Sequence, residues 1–148
     1  MSTTAARPGW ALVAAIIAIL FGILTVIAGG SALFGSVEAR AAVGNAVPFV
    51  LWFNFLSGFV YVLAGTGLFV WRRWAAQLSA LLAGAILVVF AAFGLHVALG
   101  GAFEMRTVVA MILRSGVWVA IAIAACRAFN CFEVDMKASG MPMNGRMK

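Results

Sequence analysis

Charged residues are scarce in this chain. Asp, Glu, Lys and Arg together make up 9% of its 148 residues, whereas hydrophobic residues make up 66%. Soluble domains average about 25% charged and about 45–50% apolar residues. A domain of this size has too little interior to bury such an excess of apolar side chains. The composition therefore excludes an ordinary soluble fold and favours lipid as the surrounding solvent.

Histidine and cysteine are nearly absent, with His96, Cys126 and Cys131 as the full set. A zinc site usually takes three or four such ligands, so we predict no metal. The two cysteines do not form a C-x-x-C pair, and we interpret both as ordinary small residues. A haem-binding bundle with paired axial histidines is excluded on the same ground. We expect no resident cofactor.

Long apolar runs are what the chain does contain. Charge-free runs cover Gly9–Val37, Ala41–Trp71 and Trp74–Phe103, and a fourth run, Thr107–Cys126, contains only Arg114. About 20 apolar residues are enough for a helix to cross a hydrocarbon layer of about 30 Å. The runs also lack the alternation of apolar and polar residues that is typical of barrel strands. The sequence therefore predicts an all-α integral membrane four-helix bundle.

The turn residues between these runs set the predicted helix boundaries within one domain that spans residues 1–148. Gly29, Gly30 and Ser31 are predicted to end helix 1, because glycine clusters favour turns. Pro48 suits the first turn of helix 2. We predict helices 1 to 4 at residues 10–28, 48–70, 75–98 and 104–126, a loop from Ser31 to Val47, and a loose tail at 127–148.

The net charge of +6 is interpreted as a topology signal rather than as a nucleic-acid signal. Lys and Arg favour the cytoplasmic side of short loops. Arg40 and Arg106 lie in the loops on one side of the predicted bundle. Seven basic residues lie on the other side: Arg7, Arg72, Arg73, Arg127, Lys137, Arg146 and Lys148. We therefore expect both termini in the cytoplasm and a multi-pass protein of a bacterial inner membrane. Cleavage of helix 1 as a signal peptide stays open.

Arg114 is the sharpest chemical feature, because it lies near the middle of helix 4. An arginine at that depth costs about 2.5–3.5 kcal/mol on insertion scales. None of the predicted helix interiors offers an acidic partner. Carbonyls, side-chain amides, water or an anionic ligand must therefore offset the cost.

A candidate cavity follows from helical periodicity. Asn54 and Tyr61 share a face of helix 2, and Met111, Arg114 and Trp118 share a face of helix 4. If these faces meet, the oxygens of Asn54 and Tyr61 can accept hydrogen bonds from the guanidinium. Trp118 can add a cation–π contact. We name these five residues the Arg114 cluster.

A second polar group is expected at the outer mouth of the bundle. His96 lies near the end of helix 3, and Glu104 and Arg106 follow across the Gly100–Gly101 turn. The alternative interpretation makes His96 an interfacial residue and Glu104 a favourable charge at the N-terminus of helix 4. Small residues also recur at four-residue spacing in helices 3 and 4 (Ala76, Ala80 and Gly84; Gly116, Ala120, Ala124 and Ala128). Such rows are typical of close helix packing in lipid.

Three functions remain open at this stage. The first is a non-enzymatic accessory subunit or interaction module, because the chain has no catalytic constellation. It implies the lipid bilayer and either a second copy or a larger membrane protein as partners, without nucleic acid. The second is a small channel or transporter with an outward-facing polar cavity around Arg114. The third is a redox helper that binds a quinone or a lipid.

Overall fold

The regular structure is entirely helical within residues 8–130, the part of the chain that this computed structural model describes. The helices are α1 (Gly9–Phe34), α2 (Val37–Ala41), α3 (Pro48–Phe69), α4 (Arg73–Ala98) and α5 (Met105–Phe129). All but α2 are long and apolar enough to cross a membrane, by length and composition. The all-α prediction is confirmed for these residues, and four such helices indicate a multi-pass membrane protein. The predicted tail beyond Asn130 lies outside the described residues.

Helix α1 continues past Ala28, where the sequence predicted its end, as far as Phe34. Its glycines serve packing instead of breaking the helix. A Cβ atom on Gly29 would lie 3.0 Å from the Cβ atom of Phe55 on α3. The Ser31 hydroxyl donates to a carbonyl one turn earlier, at 2.8 Å, so a polar residue also fits within the helix. Tertiary contact thus overrides the local turn signal.

The predicted loop from Ser31 to Val47 contains the short helix α2. Ser36 caps it, because the Ser36 hydroxyl accepts from the backbone N–H of Ala39 at 3.3 Å. The Glu38 carboxylate accepts hydrogen bonds from the Ser36 side chain and from the backbone N–H of Glu38 itself. These bonds lower the pKa of Glu38 below its ordinary value. A helix of five residues is too short to show apolar periodicity, so the sequence did not indicate it.

Glycines bring α1 and α3 into the closest helix pairing of the molecule. A Cβ atom on Gly58 would lie 2.7 Å from Val26 Cγ2, and one on Gly65 would lie 2.8 Å from Ile19 Cγ1. On α1, a Cβ atom on Gly22 would lie 2.8 Å from the Gly58 carbonyl oxygen. Such close approach of backbones is how helices gain van der Waals contact in lipid.

Large side chains fill the space between α3 and α5. Helix α4 packs against both α3 and α5, whereas α3 and α5 are not among the closely paired helices. Tyr61 and Trp118 are fully buried between them, with ring centroids 4.6 Å apart. Aromatic rings therefore separate α3 from α5, and no glycine contact brings these two helices close together.

An aromatic contact closes one end of the molecule, which we call the Trp71 end; the opposite end is the α2 end. The Trp71 backbone has a φ of 55°, and the Arg72 N–H donates to the Gly67 carbonyl at 2.9 Å, which ends α3. A left-handed conformation costs a non-glycine residue about 1–2 kcal/mol. The Trp71 ring offsets this cost by packing on Trp10 and Phe129, with centroids 5.8 and 4.4 Å away.

Candidate functional site

Arg114 lies in the interior, with 6% of its surface exposed. The four long helices contain no Asp or Glu, so no carboxylate of these helices pairs with it. Its Nη1 donates instead to the Oδ1 atom of Asn54, and the Sδ atom of Met111 lies 3.9 Å from Nη1. Helix α3 therefore supplies the amide partner that helical periodicity predicted for the guanidinium.

Aromatic faces complete the shell around the guanidinium. Its Cζ atom lies 5.8 Å from the ring centroid of Phe21 and 6.0 Å from that of Tyr61. Tyr61 thus meets Arg114 through its ring and not through the predicted hydroxyl contact. Trp118 packs on Tyr61 instead of supplying the predicted cation–π contact. Phe21 was missed because an apolar residue of α1 carries no sequence signal for a cation partner.

The same interior holds polar atoms without partners. Four buried side-chain atoms have no hydrogen-bond partner among the described residues: Arg114 Nε, Tyr61 Oη, Ser115 Oγ and Trp118 Nε1. All four carry a hydrogen to donate, whereas Asn54 Oδ1 is the oxygen that accepts from Arg114. The Tyr61 and Ser115 hydroxyls can also accept, whereas Arg114 Nε and Trp118 Nε1 only donate, so an acceptor oxygen would suit these two N–H groups.

The residues of the predicted outer mouth have separate partners at the α2 end. Glu104 Oε1 accepts from the Asn45 backbone N–H at 3.0 Å. Arg106 Nη2 donates to the Ala42 carbonyl at 3.2 Å. His96 Nε2 lies 3.3 Å from the carbonyl oxygen of Ala102, within the turn before α5. Glu104 and Arg106 therefore anchor the chain that follows α2, and their contacts serve the loop rather than a shared ligand.

Two apolar grooves run along the outer surface of α5. One, of about 440 Å³, lies against α1 and includes Trp10, Ile17 and Val117 in its lining. The other, of about 410 Å³, lies against α4 and includes Ala80 and Arg127. Neither lining includes Arg114, Asn54 or Tyr61. The Arg114 cluster is therefore a packed interior contact beside these grooves.

The residues around Arg114 offer groups that can bind a ligand. No group of three or more His, Cys, Asp or Glu residues that could hold a metal ion occurs within residues 8–130. The interior offers a cation, an amide and aromatic rings, which can hold an acceptor oxygen or an anion. The chain matches no protein-family model, no curated protein and no solved structure.

Proposed function

We propose that this chain is a non-catalytic interaction module of a bacterial inner membrane, which binds a larger membrane protein or a second copy through α4. The observation that carries the proposal is a set of exposed small residues on one face of α4, which we call the α4 stripe: Gly84, Ala91, Gly94 and Ala98. The exposed side chains of Leu87, Val88 and Leu95 lie within or beside this face. A Cβ atom on Gly84 or Gly94 would meet nothing within 4 Å.

The glycines of the α4 stripe pack against no other helix within residues 8–130. Glycine in a helix interior is less favourable than alanine by about 1 kcal/mol. Between α1 and α3 that cost is offset, because backbones meet at Gly58 and Gly65. At Gly84 and Gly94 a helix from another protein or a second copy would offset it, since small residues let helices approach closely in lipid.

The proposed orientation places the Trp71 end in the cytoplasm. Arg72, Arg73 and Arg127 are exposed at that end, whereas Arg40 and Arg106 lie at the α2 end. The positive-inside rule favours the side with more basic residues. Both termini would then be cytoplasmic, because four spanning helices return the chain to the side on which it began.

Co-purification after crosslinking in native membranes tests the interaction module. Ala91→Leu should reduce recovery of the crosslinked partner or dimer at least tenfold, because the added side chain fills the α4 stripe. Ala28→Leu is the matched control, because Ala28 is exposed on α1 and receives the same change. Monomers without any crosslinked partner in the unsubstituted protein would contradict the proposal.

A channel or transporter is the second candidate, and the unpartnered donors beside Arg114 favour it. In that function a hydrated anion or a carbonyl group would visit Arg114 and Asn54 during transport. Arg114→Met should then abolish anion flux in liposomes while the helical circular dichroism stays unchanged. Equal flux through both proteins would remove this candidate.

A further inference from the structure

The groove between α4 and α5 combines an apolar floor with a charged end. Alanines form much of its floor, including Ala80 and Ala83 on α4 and Ala122 on α5. Arg127 lines the same groove and lies in the last turn of α5. From Val119 to Arg127 the groove follows α5 for about 12 Å at 1.5 Å per residue. That length nearly matches one leaflet of a hydrocarbon layer of about 30 Å.

The charge at this end of the groove is positive. Arg72 and Arg73 are exposed where α4 begins, close to the level at which α5 ends. The described residues of the Trp71 end include no Asp or Glu. The N-terminus of α4, with a partial positive charge, and the C-terminus of α5, with a partial negative charge, both lie at this end and oppose each other. The charged side chains therefore decide the sign of the local charge.

We propose that this groove binds an anionic phospholipid of the leaflet at the Trp71 end. One acyl chain would lie along the alanine floor, and the phosphate would contact Arg127. Trp74, which is 42% exposed near the start of α4, lies at the level where indole rings meet headgroups. Basic pockets between helices are known to suit anionic headgroups on the cytoplasmic side.

The groove between α1 and α5 supplies the internal comparison. It has a similar volume, about 440 Å³, but its lining is apolar and contains no cation. It can hold an acyl chain without preference for headgroup charge. Selectivity for anionic lipid should therefore depend on Arg127 and on the α4 side of α5, and not on the α1 side.

Native mass spectrometry of the full chain in mild detergent tests this site, with dioleoyl phosphatidylglycerol and dioleoyl phosphatidylcholine as probes. Arg127→Gln should weaken phosphatidylglycerol binding about fivefold, as expected for one basic residue near a headgroup. Arg40→Gln removes an equal charge at the α2 end and should leave binding unchanged. Ala80→Phe should weaken phosphatidylglycerol binding by filling the groove, whereas Ala124→Phe, in the groove against α1, should not.

Two results would overturn the site. The first is phosphatidylglycerol binding by Arg127→Gln and Ala80→Phe that equals binding by the unsubstituted protein. The second is equal binding of phosphatidylglycerol and phosphatidylcholine by the unsubstituted protein, because the proposed contact with Arg127 requires an anionic headgroup.

Discussion

The glycines of this protein are used in two different ways. Between α1 and α3, Gly22, Gly58 and Gly65 each lie against a neighbouring helix, so that an added Cβ atom would come within 2.8 Å of another atom. On the outer faces of α4 and α5, added Cβ atoms at Gly84 and Gly116 would meet nothing within 4 Å. The same residue type thus packs against a neighbouring helix in one half of the molecule and lies on the exposed surface in the other.

The difference supports the proposed interaction through α4. Helices in lipid associate by close packing, since the surrounding tails are as apolar as the side chains. The pair α1–α3 has already gained this packing within one chain. Helix α4 has packing against α3 and α5 on one side, yet keeps small residues on its exposed side. That exposed side is therefore the surface on which an interaction is expected.

Substitution of Gly65 should show the largest difference in stability between the two halves. Gly65→Leu forces a large side chain against Ile19 and the Ala15 carbonyl, and should lower the free energy of unfolding by about 3 kcal/mol. Gly84→Leu is the matched control and should not lower the free energy of unfolding of the monomer, because its added side chain meets no neighbour and leucine favours a helix over glycine. Denaturation in detergent, followed by circular dichroism, measures both. Equal losses in the two variants would remove the distinction between the halves.

The contact of Arg114 with Asn54 gives the next largest effect. Asn54→Leu leaves a buried guanidinium without its acceptor, and should lower the free energy of unfolding by about 2 kcal/mol. The double variant Asn54→Leu with Arg114→Met removes both partners, so it should be more stable than Asn54→Leu alone. A double-mutant cycle from the same unfolding experiment measures this coupling. Additive losses would mean that the two side chains do not depend on each other.

The anchor at the α2 end should give a smaller and local effect. Glu104→Ala removes the acceptor of the Asn45 backbone N–H, so hydrogen exchange at Asn45 should become about fivefold faster, equivalent to about 1 kcal/mol. Exchange within the α1–α3 pair should not change. Arg40→Gln, an exposed change in α2, serves as the control. Faster exchange throughout α1 and α3 would show that the loop and the helix pair are coupled.

The smallest effect concerns the pH dependence of α2. The pKa of Glu38 is lowered by its hydrogen bonds to Ser36 and to the backbone, so its ionised form stabilises α2. That contribution is complete above the ordinary pKa of Glu, and is lost as the pH falls through the lowered value. Hydrogen exchange in α2 should therefore become faster at acidic pH, after correction for the intrinsic rate. Glu38→Gln should remove this pH dependence. If the pH dependence persists in that variant, another titrating group causes it.

The long helices were predictable because length and apolar composition are properties of the sequence itself. The contact between Asn54 and Arg114 was also within reach, because polar residues are rare in these helices and their depths match. The end of α1 was not predictable, since Gly29 packs against Phe55, which is distant in sequence. The same limit hid Phe21 beside Arg114.

The α2 end shows why loops were harder to foresee. Glu104 and Arg106 were expected to share a mouth with His96, because all three are polar and lie near one turn. Both bind backbone groups of the segment after α2. Backbone N–H and carbonyl groups are present at nearly every residue, so their positions leave no pattern in the sequence.

Site-specific photo-crosslinking in native membranes tests whether the α4 stripe binds another protein. A photoreactive amino acid is placed at Ala91 on the α4 stripe or at Ala28 on the exposed face of α1. We predict a discrete protein adduct from position 91 and only lipid adducts from position 28. Lipid adducts alone from both positions would contradict this prediction, because the exposed side of α4 would then face lipid like any other surface.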